Sequence, residues 1–271
     1  AADRDPASTT TFGVGELLRL ALDAGASRIV VGLGGSATND GGAGLLAALG
    51  ATADVPLNKG GLVLRGATAV DISAAVAAVS GVELLAATDV DNPLLGLTGA
   101  AKVFGAQKGA DDNLVIQLDA ALDAFATSIG RRADGKDPAV AKGSGAAGGL
   151  GYALMCLGAV RVPGIATVME ATGLEDRIRA SDLVITGEGR FDWQSLRGKV
   201  VSGVATLTMP TARPCVLIAG DVVVGRREFS ALGVSSAYSI AEVVGSVEAA
   251  LADPVGTLTQ TAARVARTWS H

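Results

Sequence analysis

The sequence predicts an α/β fold: a mostly parallel, Rossmann-like sheet with helices on both faces, plus a second, smaller α/β domain. Three observations carry this expectation. Short apolar runs such as Ile29-Val30-Val31, Leu84-Leu85-Ala86 and Val216-Leu217-Ile218 alternate along the chain with Ala- and Leu-rich helical periods, the order a parallel sheet with crossover helices requires. Several of those runs empty into glycine-rich polar loops, which is how open α/β sheets present ligand sites at their carboxyl ends. With 49% apolar but only 3% aromatic residues, the core must be built from Ala, Val, Leu and Ile, which suits parallel strands under small-residue helices. A chain of 271 residues holds one large domain or two modest ones.

Composition also excludes function classes. A charged fraction of 18% argues against disorder, and a net charge of −5 offers no electrostatic footprint for nucleic acid or an anionic membrane. The single histidine is His271, so a mechanism built on a histidine base or ligand is excluded. Cys156 and Cys215 sit far apart in apolar surroundings, as small buried hydrophobes rather than a disulfide. No apolar run reaches the roughly 18 residues of a membrane span, and the polar start does not resemble a signal peptide. A cytoplasmic location is expected.

Taken in order, residues 1–10 read as a polar lead-in, and Leu17, Leu18, Ala21 and Leu22 then keep helical spacing up to a stop at Gly25. Strand 28–31 follows and runs into Gly32–Gly44, a stretch with six glycines among thirteen positions. Asp40 is expected to begin the next helix, which ends at Gly50. Residues 51–73, with β-branched residues around Asn58-Lys59-Gly60-Gly61, read as a hairpin. A short helix and a strand then end in Thr88-Asp89-Val90-Asp91-Asn92-Pro93. Leu114, Leu118, Leu122, Phe125 and Ile129 predict a helix over 112–129. Residues 131–142 read as an exposed connection, 143–151 as a second glycine loop, and 152–157 as helix. Helical signals recur at 165–173 and 174–180. Strand 182–186 opens into Gly187-Glu188-Gly189-Arg190-Phe191-Asp192, Lys199 starts another helix, and strands follow near 215–220 and 234–241. Pro254 fits the first turn of a C-terminal helix.

The chemistry-bearing residues cluster in the loops. Gly32-Leu33-Gly34-Gly35-Ser36-Ala37 matches the spacing of a dinucleotide fingerprint, with Asp54 further on. The extra glycines at 41, 42 and 44 would weaken a helix begun that early, so a long loop with its own cap fits better. Gly34, Gly35, Ser36, Asn39 and Asp40 are candidates for holding a phosphate or a small substrate, since glycine N–H groups form anion-binding nests; tight packing is the plain alternative. Asp89 and Asp91 share a face if extended and can hold Mg²⁺ or substrate hydroxyls, or make a turn. Glu188, Arg190, Asp192 and Lys199 combine carboxylates with cations, the ingredients of phosphoryl transfer; an exposed ion-paired loop is the alternative. Lys108 suits a phosphate or carboxylate, a solvated surface lysine being the plain alternative. Gly148 and Gly149 either cradle phosphate or permit close helix packing.

GVGELL, IVVGLGGSATNDGGAG, TDVDNPLLG, FGAQKGA, GAAGGLGYAL and DLVITGEGRFDWQSLRGKV occur in this order and together resemble the type I glycerate kinase family across nearly the whole chain. The resemblance implies a two-domain α/β architecture, ATP and Mg²⁺, and glycerate phosphorylated to 2-phosphoglycerate. It sets the expected Rossmann-like domain at 1–50 with 175–271, incomplete at its N-terminus, and the second α/β domain at 51–174. Asp89, Asp192, Glu188, Lys108 and Lys199 fall inside matched motifs. On this reading Asp192 acts on the glycerate hydroxyl, and Asp89, with Asp91, holds Mg²⁺ or substrate. The glycine loops hold phosphates or the substrate carboxylate, and Lys108, Arg190 or Lys199 stabilises charge on the γ-phosphate. Two departures from the family pattern stand out: Ala106 replaces a usual proline, and the family's opening strand–helix segment and its Ala-Asp-Gly-Gly-Glu-Gly motif have no counterpart. The alternative is therefore a truncated, catalytically inactive homologue that binds ligand or regulates a partner. A homo-oligomer is compatible with either.

Overall fold

The computed structural model describes residues 4–196 and 200–270, so the expected helix start at Lys199 lies outside the described residues. The chain divides into two compact units, the first ending at Gly164 and the second beginning at Ile165.

The first unit contains α1 (Phe12–Asp23), β1 (Arg28–Gly32), α2 (Ala43–Ala48), β2 (Thr52–Ala53), β3 (Val70–Asp71), α3 (Ser73–Ala78), β4 (Glu83–Ala87), α4 (Ala100–Phe104), α5 (Asp112–Ile129), α6 (Ala146–Cys156) and β5 (Val160–Val162). Strands β1, β4 and β5 form one parallel sheet in the order β1-β4-β5, with Gly32 opposite Ala87 and Ala87 opposite Val162. Pairing continues one step past the strands, where Leu33 N–H donates to Ala87 O and Thr88 N–H to Val162 O, both at 2.9 Å. Three chain segments therefore leave the sheet at one carboxyl edge: the first glycine loop, Thr88-Asp89, and Pro163-Gly164.

Helix α5 spans the residues its spacing predicts, because Asp111 caps it by accepting from Leu114 N–H at 2.7 Å. Leu118, Leu122 and Phe125 are fully buried with Leu45, Leu46, Leu64, Tyr152 and Leu154. Phe125 meets Tyr152 edge-on, ring centres 6.2 Å apart, the arrangement the ring quadrupoles favour. Helices α1 and α2 cross tightly because glycine stands at the contact: a Cβ at Gly15 would lie 2.6 Å from Ala48 Cβ.

Residues 51–73 differ from the hairpin expected. Only β2 and β3 pair, antiparallel and two residues long, while Leu62–Gly66 forms a 3₁₀ helix. Tertiary contacts take the backbone that a hairpin would need. Leu62 N–H donates to Ala7 O at 3.1 Å, and a Cβ at Gly61 would stand 2.1 Å from Asn39 O.

The second unit opens with α7 (Gly164–Ala171), whose first residue closes the first unit. It contains α8 (Leu174–Arg179), β6 (Val184–Phe191), α9 (Val200–Thr208), β7 (Cys215–Val222), α10 (Arg226–Ala231), β8 (Ser236–Ser239), α11 (Ile240–Val244), α12 (Val247–Ala252) and α13 (Pro254–Trp269). Its sheet is parallel, in the order β6-β7-β8. Phe191, Val201, Ala205, Cys215 and Leu217 form a core of their own, and Cys156 and Cys215 are both buried free thiols. Strand β6 is longer than expected and runs through Gly187-Glu188-Gly189-Arg190, which the sequence presents as a loop. Glycine there admits the neighbouring backbone: a Cβ at Gly187 would lie 2.4 Å from Ile218 O, and one at Gly220 2.4 Å from Gly189 O.

This division differs from the grouping of 1–50 with 175–271, because β1 finds its partner in β4, within the first unit. Among the described residues no helix is long and apolar enough to cross a membrane.

At its start α6 carries a left-handed kink at Ala147, Gly148 and Gly149. A Cβ at Gly148, where φ is +69°, would stand 1.9 Å from Thr38 O. The variant Gly148→Ala combines a left-handed alanine with an overpacked contact. It is expected to destabilise the chain by roughly 2–4 kcal/mol in chemical denaturation; a change within about 0.5 kcal/mol would contradict this packing.

Candidate functional site

The loop after β1 has two halves of opposite character. Gly34 and Gly35 are exposed, and a Cβ on either would meet nothing within 4 Å. Gly35 takes φ +63°, and Ser36 and Thr38 are half-buried. Among the described residues, none of the N–H groups from Gly34 to Thr38 donates a hydrogen bond within the protein. A run of uncommitted amides on an open, glycine-rich backbone can donate to an anion or a polar oxygen.

Asn39 and Asp40 point the other way and are fully buried. Asp40 Oδ2 accepts from Thr11 N–H at 2.7 Å, Thr11 Oγ1 at 2.8 Å and Gly44 N–H at 3.3 Å, and Oδ1 accepts from Gly42 N–H at 3.0 Å. Thr11 Oγ1 in turn accepts from Leu45 N–H at 3.0 Å. Burial pushes the Asp40 carboxyl above its ordinary range, against the Thr11, Gly42 and Gly44 donors that favour the carboxylate. Asp40 thus fastens the starts of α1 and α2 to the loop and turns away from solvent. The sequence pattern did not single out Thr11, because its partner lies 29 residues on. Both amide atoms of the Asn39 side chain lack a partner among the described residues.

Lys108, expected as a phosphate ligand, is also inside. It is only 3% exposed, and its Nζ donates to Thr38 O at 2.7 Å. Burial lowers its pKa to about 8, with the Asp40 charge acting in the opposite sense. Gly148 and Gly149 complete the packing: Gly41 N–H donates to Gly148 O at 3.0 Å, and a Cβ on Gly149 would lie 2.6 Å from Gly41 Cα. The second glycine loop therefore backs the first at close range.

At the same sheet edge, Asp89 is exposed and its Oδ1 accepts from Gly164 N–H at 3.1 Å. Asp91 is engaged elsewhere, by Arg161 Nη2 at 2.6 Å and Lys142 Nζ at 3.4 Å. Among the described residues no three His, Cys, Asp or Glu side chains gather as a metal cluster.

In the second unit, Glu188 and Arg190 project from β6. Glu188 is half-buried, and its Oε1 is buried without a partner among the described residues. Arg190 Nε stands 3.6 Å from Asp221 Oδ2 on β7. Both line a cavity of about 810 Å³ walled by apolar side chains including Ile218, Leu251 and Leu258, a size suited to a small ligand. Of the helices closing it, Pro254 foreshadowed α13, while no motif marked α11 or α12. Asp192 directly follows β6, and its Oδ1 accepts from Gln194 N–H at 2.8 Å and Ser195 N–H at 3.3 Å. Ser195 Oγ donates to Arg190 O at 3.3 Å, so the carboxylate sits on an anchored turn.

Comparison with known proteins adds to this geometry. A model of the glycerate kinase family matches residues 1–270. A glycerate 2-kinase of Escherichia coli is 42% identical over 255 residues, covering 92% of this chain and 67% of its own length. A glycerate kinase of Haemophilus influenzae is 40% identical over 272 residues, 97% of this chain and 71% of that one. An uncharacterised Mycobacterium tuberculosis protein is 42% identical over 254 residues, 94% of this chain, and the chain spans 61% of that relative's length. A solved Salmonella typhimurium chain described as glycerate kinase 2 superposes with a TM-score of 0.72 at 38% identity, covering 97% of this chain and 72% of that one.

The buried ammonium of Lys108 fixes a pH dependence. Between a folded pKa of about 8 and the ordinary 10.5, the unfolded chain binds the extra proton, so stability rises with pH across that window. Relative to Lys108→Met, the parent chain is expected to gain roughly 2–4 kcal/mol between about pH 7 and pH 10.5 in denaturant titrations. A difference that stays flat with pH would contradict a buried ammonium.

Proposed function

This chain belongs to the glycerate kinase family, and we propose that it transfers the γ-phosphoryl group of ATP to glycerate, giving 2-phosphoglycerate. The observation that carries this reading is the exposed half of the first glycine loop, whose amides from Gly34 to Thr38 are uncommitted at the carboxyl edge of a parallel sheet. A carboxylate flanked by hydroxyls matches those donors, and Ser36 adds a hydroxyl to the set. Gly148, Gly149, Asp40 and Asn39 support the loop from behind.

On this reading Asp192 accepts the proton of the attacking hydroxyl, since its backbone-anchored turn holds the carboxylate in one orientation. Arg190 supplies positive charge for the transferring group, and Lys199 is a further candidate for that role. Glu188, beside the apolar cavity, offers an acceptor for nucleotide hydroxyls.

Mg²⁺ is implied by kinase chemistry, where it would neutralise charge on the phosphates. It commonly takes one or two carboxylates and completes its shell with phosphate and water oxygens. Asp89 fits that requirement as a single exposed carboxylate. Asp91 does not, because Arg161 and Lys142 already neutralise it.

The test is ATP consumption coupled to glycerate phosphorylation, with the product identified by mass and NMR. A general base commonly contributes about 10²–10⁴-fold, so Asp192→Asn is expected to lose that much turnover while melting within a few degrees of the parent chain. Near-normal turnover would remove Asp192 from the mechanism. Tight glycerate binding without any phosphorylated product would replace the kinase reading with that of a ligand-binding protein.

A further inference from the structure

Every lysine read as a phosphate ligand must reach the phosphate, and Lys108 does not face solvent. Its ammonium lies under the glycine loop and donates to Thr38 O at 2.7 Å. Three segments meet at this point. The position a Gly148 Cβ would occupy is 2.8 Å from Lys108 Nζ, 2.8 Å from Asn39 Cα and 1.9 Å from Thr38 O. Gly41 N–H closes the same junction by donating to Gly148 O at 3.0 Å. Thr38 is the hinge between the open half of the loop and the buried Asn39-Asp40 half, so whatever holds its carbonyl fixes how the preceding amides are aimed.

We infer that Lys108 is a positioning residue: its buried ammonium tethers the Thr38 carbonyl and so sets the direction of the 34–38 amides toward the substrate. The functional half of this inference rests on the glycerate kinase reading above. The charged neighbour facing the ammonium is Asp40. On the adjoining N-terminal segment, Arg4 places its Nη1 on Gln107 O at 2.7 Å, which holds the 3₁₀ turn Ala106–Lys108 from the other side. A hydrogen bond from a charged donor is stronger than one from a neutral donor. Directional constraint of this kind acts mainly on ligand binding when the constrained groups bind parts of the ligand away from the bond being made. A lysine that touched the transferring phosphoryl would act on turnover instead.

The experiment compares the parent chain with Lys108→Met and Lys108→Arg by two readouts. The first is amide hydrogen exchange of the ligand-free protein. Lys108→Met is expected to exchange the Gly41, Gly42 and Gly44 amides about tenfold faster while α5 changes by less than about twofold, because the loop opens locally rather than with the whole unit. The second is steady-state kinetics with glycerate, where KM is expected to rise about tenfold with kcat held within about threefold. Lys108→Arg keeps charge and donor and is expected to restore most of both. Lys108→Gln provides the same comparison should the Met variant fail to fold.

Unchanged exchange at Gly41–Gly44 would overturn the tether, as would an equal acceleration in α5, which marks general destabilisation. A loss of about a hundredfold in kcat at constant KM would overturn positioning in favour of direct phosphoryl contact. A parent chain that phosphorylates no glycerate would end the kinase reading, and the exchange comparison would still decide the tether by itself.

Discussion

The first unit depends on one buried carboxylate. Asp40 collects four hydrogen bonds, from the Thr11 backbone and hydroxyl and from the Gly42 and Gly44 amides, and hydrogen bonds to a charged group each contribute about 1.5–3 kcal/mol. Without them the carboxylate would be an uncompensated buried charge, which costs several kcal/mol. The same four contacts dictate local structure. They set where α1 and α2 begin, bring Gly15 and Gly44 into the close helix crossing, and leave the preceding Gly34–Thr38 stretch as the part of the loop facing out.

Glycine acts in two different ways in this chain. Gly41, Gly42, Gly148 and Gly149 are buried with positive φ; Gly148 and Gly149 admit the backbone of Thr38 and Gly41, while Gly41 and Gly42 face Leu122, Phe125 and Ala153 side chains. Gly34 and Gly35 stand in open space, where the absent side chain leaves amides approachable by a ligand. The first group builds a rigid support and the second presents it. Preorganised donors of this kind bind an anion without the reorganisation a flexible loop would need.

The sequence disclosed the elements whose cause is local. Helix α5 was legible because eighteen residues of helical spacing start at an Asp cap, and β1, β4 and β7 stood out as apolar runs, whereas the three-residue β5 did not. Features set by distant partners were not. The second half of β6 hid behind Gly187 and Gly189, since the same glycines that break a lone strand allow close approach to β7. The 51–73 stretch gave β-branched residues but not the Ala7 and Asn39 contacts that draw it into a 3₁₀ helix. At the site, the chemical content of the first loop was visible, but the direction of its side chains was not. Asp40 and Asn39 turn inward because Thr11, Gly61 and Gly148 come to meet them from elsewhere in the chain. A lysine is among the residues least often fully buried, so nothing in the local pattern marked Lys108 as interior. Asp91 looked paired with Asp89 by spacing alone, whereas Arg161 and Lys142 determine what it does.

On the proposed reading, the open half of the first glycine loop receives glycerate. Titrating ¹⁵N-labelled chain with glycerate alone, and following backbone amide shifts, tests this most directly. Saturable shifts are expected at Gly34, Gly35, Ser36 and Thr38, with smaller ones at Asp89. Saturable shifts confined to the β6–β7 cavity, with the 34–38 amides unmoved, would contradict it.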